Sequence, residues 1–129
     1  MEAGIIDLIS RYSVSDTVDR VETLLGAKGI KVFARIDQAA EARAVGLILR
    51  PTVLVIFGDP KTGTPLMESH PSIALDLPLK APVSESTDGA VHLSYKSPEF
   101  LRERHGLEAP PFSALGKLLR EAAQQALTK

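Results

Sequence analysis

The sequence predicts a single α+β domain with one curved, mostly antiparallel sheet and long helices packed on one of its faces. Segments with a two-residue hydrophobic repeat alternate with segments at helical spacing, and Asp88-Gly89 is a strong hairpin signal between the last two strands. The chain has 129 residues, a length that one hydrophobic core can fill. We therefore expect one domain over residues 1–129, without internal repeats.

The first strand and the first long helix are predicted near the amino terminus. Residues 5–12 alternate loosely between apolar and polar side chains and are short enough for a strand. Ser15 is the predicted N-cap of a helix that carries apolar residues at helical spacing. This helix is expected to end at Lys28, with Gly29 in the left-handed conformation and Ile30 packing back on the last turn.

Two further strands enclose a short helix. Residues 31–36 alternate between polar and apolar side chains and predict a half-buried strand. Asp37 and Gly46 bracket an alanine-rich helical segment. Residues 53–57 are all apolar, so this strand is expected to be covered on both faces or completed by a partner.

The second half of the sequence contains another helix start and two more strands. Thr64 followed by Pro65 is the expected pairing of an N-cap and a first helical residue. Residues 77–85 predict a strand, although Pro82 confines it to a sheet edge or a bulge because proline donates no hydrogen bond to a ladder. After the hairpin turn, residues 91–95 alternate as the returning strand.

Two helices complete the chain. Ser97-Pro98 repeats the pairing of a cap and a proline, and Gly106 ends that helix. From Ser113 onward, apolar residues form a helical stripe: Leu115, Leu118, Leu119, Ala122 and Ala126. The resulting order, β-α-β-(α)-β-(α)-β-β-α-α, places two long helices on one sheet face. The other face then needs a cover, for which a second subunit or a ligand is the natural candidate.

Composition excludes several classes of protein. Lys and Arg number 15 against 16 acidic residues, without a basic cluster, so we expect neither nucleic-acid nor membrane partners. The absence of cysteine removes disulfides, thiolate metal sites and cysteine nucleophiles, and it fits a reducing compartment. The amino-terminal residues lack the features of a signal peptide. We therefore expect a soluble cytoplasmic protein without a cofactor.

The glycine-bearing loop after residue 57 does not meet the requirements of a phosphate loop. Gly58 and Gly63 have the right spacing, but Thr64-Pro65 stands where a Lys-Ser/Thr pair is needed. A weaker anion site is an open alternative, because free amides at the Thr64 helix start and the Lys61 ammonium could converge on a carboxylate or phosphate. The other interpretation is a simple turn from strand to helix with a solvated lysine.

Four other titratable residues require an explanation. His70, His92 and His105 lack the spacing for joint metal ligation, so we expect no metal. Asp76 lies inside an apolar run, where a carboxylate needs a charged or hydrogen-bonding partner. It is expected to act as a loop cap, to pair with Lys80 or an arginine, or to serve a site. Sequence signatures of common hydrolases and dehydrogenases are absent.

Three separated blocks resemble the family known as domain of unknown function 302 (DUF302). They are the run at residues 57–67, the run at residues 76–80, and, within residues 94–107, Ser94-Tyr95, Leu101 and Arg104-His105-Gly106-Leu107. The resemblance covers nearly the whole chain. It implies a β-α-β4-α arrangement similar to the TATA-binding-protein-like fold and a homodimer, but no established activity. Two departures are Asp59, where the family often has Asn, and Ala81-Pro82, which interrupts an apolar strand.

The polar members of these blocks are the candidate ligand-binding residues: Asp59, Lys61, Thr64, Asp76, Lys80, Tyr95, Arg104 and His105. Our first hypothesis is a non-catalytic binding or interaction domain, dimeric through its sheet, with a pocket near residues 58–67. The alternative is a small enzyme that uses Asp76 or His105 as general acid or base on an anionic substrate held by Lys61 or Arg104. A third option is an accessory partner of another protein. Asp76, Lys61 and Arg104 could instead form a structural ion-pair network.

Overall fold

A computed structural model describes residues 4–124 and forms one antiparallel sheet with helices packed against it. The five strands lie in the order β1-β5-β4-β3-β2, and every neighbouring pair is antiparallel. The predicted α+β class and antiparallel sheet are therefore confirmed. The elements are β1 (Ile5–Ser10), α1 (Val14–Ala27), β2 (Lys31–Asp37), α2 (Gln38–Ala44), β3 (Thr52–Gly58), α3 (Pro60–Ser69), a 3-10 helix (Pro71–Leu75), β4 (Leu79–Glu85), β5 (Val91–Lys96), α4 (Pro98–His105) and α5 (Leu115–Gln124).

The core lies between one face of the sheet and the two terminal helices. Helix α1 contributes Val18, Val21 and Leu25 to it, and α5 contributes the apolar stripe predicted for it. On β3, Val53 and Phe57 are buried, whereas Leu54 is only partly buried. The described chain therefore covers β3 on one face only.

We call the uncovered side of the sheet the open face. Because cross-strand partners share a face, the strand register assigns its residues. They include Ala34 and Ile36 on β2, Leu54 and Ile56 on β3, Lys80 and Pro82 on β4, His92, Ser94 and Lys96 on β5, and Ile5, Asp7 and Ile9 on β1. Its β2–β3 half is apolar, and its β5–β1 half is mainly polar.

Helix α1 ends as predicted but begins earlier. Ser13, not Ser15, is the N-cap, and its hydroxyl accepts a hydrogen bond from the Asp16 amide at 3.0 Å. Both serines have a suitable side chain, and the earlier one captures the first free amides. At the other end Gly29 has a φ of 74°, and the Ile30 amide donates back to the last helical turn.

Helix α3 corrects the predicted start at Thr64-Pro65. It begins at Pro60, and the Asp59 carboxylate caps it by accepting from the Lys61 amide at 3.0 Å. Asp59-Pro60 is the same pairing of a cap and a proline, placed five residues earlier, and it takes precedence because the helix propagates from its first capped turn. Pro65 consequently lies inside the helix.

Strand β4 corrects the predicted edge position, because it is the central strand of the sheet. It pairs with β3 along its whole length but with β5 only over residues 83–85. Pro82 is tolerated in this central strand because the β4–β5 ladder has already ended at its position. Residues 79–82 therefore diverge from β5 and leave a gap, which we call the β4–β5 cleft.

The remaining elements agree with the sequence predictions, with one shifted boundary. Asp37 caps α2, Gly89 forms the hairpin turn with a φ of 87°, and Ser97 caps α4, which ends at Gly106 with a φ of 67°. Helix α5 begins two residues after the predicted Ser113, and the predicted stripe residue Ala126 lies outside the described residues. Among residues 4–124, no helix combines the length and apolar character needed to span a membrane.

Candidate functional site

A buried carboxylate that lines the β4–β5 cleft joins three elements. Asp76 follows the 3-10 helix, and its side chain is only 2% exposed. It contacts Lys96 Nζ at 2.5 Å, His105 Nε2 at 2.6 Å and Arg104 Nε at 3.3 Å. We call these four residues the Asp76 cluster. It ties the end of β5 and the last turn of α4 to the segment that precedes β4.

The surroundings of Asp76 keep its carboxyl ionised. Burial by itself raises the pKa of this group, but hydrogen bonds from Lys96 and His105 and the positive charges of Lys96 and Arg104 outweigh burial. The pKa of Asp76 therefore lies below its ordinary value of 3.8. An ionised carboxylate only accepts hydrogen bonds, so Asp76 accepts them from Lys96 and His105, and it forms an ion pair with Arg104.

His105 extends the cluster to the 3-10 helix. Its side chain is 2% exposed, and because Asp76 is an acceptor, Nε2 carries a hydrogen. In this tautomer Nδ1 accepts a hydrogen bond from the Ser72 hydroxyl, 2.8 Å away. A position at a helix end explains only part of the role of His105, which also holds the 3-10 helix against α4.

The β4–β5 cleft is a cavity of about 310 Å³ next to this cluster. Lys80 and Lys96 line it from the two diverging strands, and Asp76 also lines it. The other lining residues are mostly apolar: Ile5, Leu54, Leu79, Pro82, Ser94, Tyr95, Leu101 and Leu115. Burial raises the pKa of the Tyr95 hydroxyl above its ordinary value of 10.0, so this hydroxyl stays protonated at neutral pH.

Within the described residues, Lys80 is a cation without a carboxylate partner. Its ammonium donates to the Pro78 carbonyl at 3.2 Å, and no carboxylate of residues 4–124 lies at ion-pairing distance from it. Lys96 is paired with Asp76 but remains 49% exposed. The cleft therefore combines apolar walls with two accessible ammonium groups.

A second polar group lies on the open face. Asp7 contacts His92 Nδ1 at 2.8 Å and accepts from the Ser94 hydroxyl at 2.7 Å. His92, predicted on a solvent-facing strand position, is 29% exposed. No group of three or more His, Asp or Glu side chains in the described part of the chain could hold a metal ion.

The predicted site residues fall into two groups in space. Asp76, Arg104 and His105 are in direct contact, and Lys80 and Tyr95 line the adjoining cleft. The other three do not line the cleft: Asp59 is the N-cap of α3, and Lys61 and Thr64 lie in its first half. Of the predicted ion-pair network the Asp76–Arg104 contact is present, but Lys61 has no described contact with Asp76.

Sequence reasoning missed Lys96 and Ser72. A signal for Lys96 existed, since extending the hairpin register from Val83 and Leu93 places Lys96 directly opposite Lys80 on the open face. Ser72 had no such signal, because its contact with His105 depends on how α4 packs on the 3-10 helix.

Comparison with known proteins finds relatives and a similar solved structure. The chain is 41% identical over 107 residues to "Fluoride-specific ion channel FluC 1" of Brucella suis and to the protein of the same name in Brucella abortus. The match covers 83% of this chain but 42% and 40% of those proteins, so the chain spans about two-fifths of their length.

A crystal structure of an uncharacterised DUF302 protein from Bacillus stearothermophilus superposes with a TM-score of 0.77 and 18% identity. The superposition covers 95% of this chain and 97% of that one, and it shows a shared fold. The model of the family described as "Domain of unknown function DUF302" matches residues 6–126, nearly the whole chain. The chain therefore belongs to the DUF302 family.

Proposed function

We propose that this protein is a non-catalytic binding domain that takes a small anionic ligand in the β4–β5 cleft and acts as a homodimer. The observation that carries the proposal is the cleft itself, which Lys80 lines together with Lys96 and Asp76, and Lys80 has no carboxylate partner among residues 4–124. Lys96 and Arg104 pair with Asp76, and Lys80 lines the same cleft, so this region carries three positive charges and one buried carboxylate. This excess of positive charge in a chain of net charge −1 favours an anion.

The state of Asp76 supports binding over catalysis. A general acid or base works best when its pKa lies near the working pH, whereas the pKa of Asp76 is lowered. Its oxygens already accept hydrogen bonds from Lys96 and His105 and form an ion pair with Arg104. The alternative enzyme, with Asp76 or His105 as acid or base, would have to break these contacts before it could transfer a proton.

The homodimer is supported by apolar surface that the described chain leaves uncovered. On β2, at the edge of the sheet, Phe33 is 44% exposed. In the loop after α2, Val45 is 72%, Leu47 63% and Ile48 98% exposed. Exposed apolar side chains of this kind favour an interface, and a second copy would cover them symmetrically. We propose that the dimer contact lies on the apolar β2–β3 half of the open face. We also propose that the protein acts in the cytoplasm.

A second candidate follows from the Brucella relatives, which are named as fluoride-specific ion channels. We propose that a domain of this type can serve as an accessory module of an ion channel. In that setting the cleft would bind an anionic organic ligand, because a bare halide ion would leave its apolar walls in contact with water. The test is whether a channel subunit copurifies specifically with the tagged protein from its own host.

Native mass spectrometry of protein purified from its own host tests the main proposal. We expect the mass of a dimer with a retained small anion, and loss of the anion in Lys80→Met. Lys61→Met is the matched control, because it removes the same charge at an exposed position that does not line the cleft. A monomer that retains no ligand, and whose melting temperature no anion shifts, would contradict the proposal.

A further inference from the structure

We propose that the ligand of the β4–β5 cleft is an amphiphilic carboxylate, with its head group between Lys80 and Lys96 and an apolar chain directed toward Leu101 and Leu115. This inference rests on the proposed binding function of the cleft. It adds the chemical class of the ligand, and it follows from the unequal distribution of charge and apolar surface around the cavity.

The head group is defined by the two lysines. An ammonium group has three donors, and Lys96 directs one of them to Asp76 while its side chain stays 49% exposed. Lys80 donates to a neutral carbonyl, so its charge has no carboxylate partner in the described chain. A single negative charge compensates Lys80. A doubly charged head group would also face repulsion from the Asp76 carboxylate, which lines the same cavity.

The apolar part of the ligand is inferred from the side chains that line the cavity between the diverging strands. Leu79, Tyr95, Leu101 and Leu115 line the cavity and are each at most 6% exposed overall, so they belong to its deep part. Leu54 and Pro82 line it from the open face. Water in such a cavity finds few polar partners, and its replacement by methylene groups is favourable.

The cavity volume limits the length of the ligand's apolar chain. A volume of about 310 Å³ lies at the small end of the roughly 300–1,000 Å³ range of small-molecule sites. A short or medium-length alkyl or aryl carboxylate fits this space, whereas a longer chain would extend into solvent. Affinity is therefore expected to rise with chain length and then to level off.

Calorimetric titration of the full chain with straight-chain carboxylates, from butanoate upward and each below its micelle concentration, tests the inference. Each added methylene that enters the cavity is expected to tighten binding about fourfold, the equivalent of about 0.8 kcal/mol. Alkyl ammonium ions of the same lengths are expected not to bind. In Lys80→Met the carboxylates are expected to bind about tenfold more weakly while primary alcohols are unaffected, because only the charged hydrogen bond is lost. Lys61→Met is expected to match the unaltered protein.

The outcomes separate the inference from the proposed function. If citrate or inorganic phosphate binds as tightly as octanoate, or if affinity does not depend on chain length, the cleft is a plain anion site and the amphiphile inference is wrong. If amines bind as well as carboxylates, the assignment of the head group is wrong. If none of these anions binds and native mass spectrometry finds no retained anion, the proposed binding function itself fails.

Discussion

Asp76 and Asp59 lie in neighbouring motifs of this sequence, but the fold gives them opposite roles. Asp59 accepts from the Lys61 amide and the Thr62 hydroxyl, both in the helical turn that it starts. Asp76 is buried and accepts from residues that follow it by twenty or more positions. A local cap stabilises one helix end, whereas the buried carboxylate joins three elements and borders a cavity.

This difference shows which polar residues of a recognisable motif are the better candidates for a functional role. The loop around Asp59 has the glycine spacing of a phosphate loop, yet its carboxylate is fully explained by helix capping. Asp76 is an isolated acid in an apolar run, and it organises the charge around the cleft. Isolation of a charge among apolar residues was the more informative signal, because burial forces such a group to find partners.

The largest effect is expected from Asp76→Ala, which removes the common acceptor of the Asp76 cluster. We expect a loss of about 3 kcal/mol in the free energy of unfolding, because His105 would be left buried without its partner. The value lies at the low end for buried pairs because Lys96 and Arg104 are half exposed and can be hydrated. Urea denaturation measures it, and a loss below about 1 kcal/mol would mean that the cluster adds little to stability.

The second largest effect is a dependence on acid pH. The folded pKa of Asp76 lies below 3.8, so its ion pairs contribute stability that is fully present above that value and is lost as the pH falls through the folded pKa. We expect stability to decrease below about pH 4, and less steeply in Asp76→Asn than in the unaltered protein. Denaturation curves recorded from pH 7 down to acid pH measure this difference. An identical pH dependence of the free energy of unfolding in the two proteins would contradict the lowered pKa.

A smaller effect is expected from Asp59→Ala. Loss of the N-cap of α3 should lower the free energy of unfolding by about 1 kcal/mol. It should not produce the change in acid-pH dependence that is expected for Asp76→Asn. Asp59→Asn is the matched control and should be nearly neutral, because asparagine caps helices as well as aspartate does. If Asp59→Ala also abolished ligand retention, Asp59 would belong to the binding site after all.

The smallest effect is expected from Lys61→Met. Lys61 is exposed at the start of α3 and does not line the cleft, so the free energy of unfolding should stay within about 0.5 kcal/mol of the unaltered protein. Thermal unfolding with and without a bound carboxylate measures both stability and binding. A clear loss of carboxylate binding would indicate that the anion site lies in the loop after β3.

Most of the fold was predictable because its signals are local. The hairpin at Asp88-Gly89, the start of α4 at Ser97-Pro98 and the left-handed glycines each depend on a few adjacent residues. Errors arose where two local signals competed. Ser13 replaced Ser15 as a cap, and Asp59-Pro60 replaced Thr64-Pro65, because in each case the earlier signal started the helix.

The candidate site was only partly predictable. Asp76, Arg104 and His105 were identified as candidates, but Lys96 and Ser72 were not. Asp59, Lys61 and Thr64, at the cap and in the first half of α3, were wrongly grouped with the residues of the cleft. Adjacency in sequence explains the error. Residues 59–64 looked like one site with residues 76–80, but they form the N-cap and first half of α3 and do not line the cleft.

The sequence by itself determined the order of the elements, the antiparallel class of the sheet and the presence of a buried acid that needs partners. Only the tertiary structure decided that β4 is the central strand and that it separates from β5. Pro82 withholds a donor from the ladder, and continued pairing would set Lys80 directly against Lys96. Both features favour separation, but the cavity exists because α4 and α5 place Leu101 and Leu115 behind the gap, and no local pattern specifies that packing.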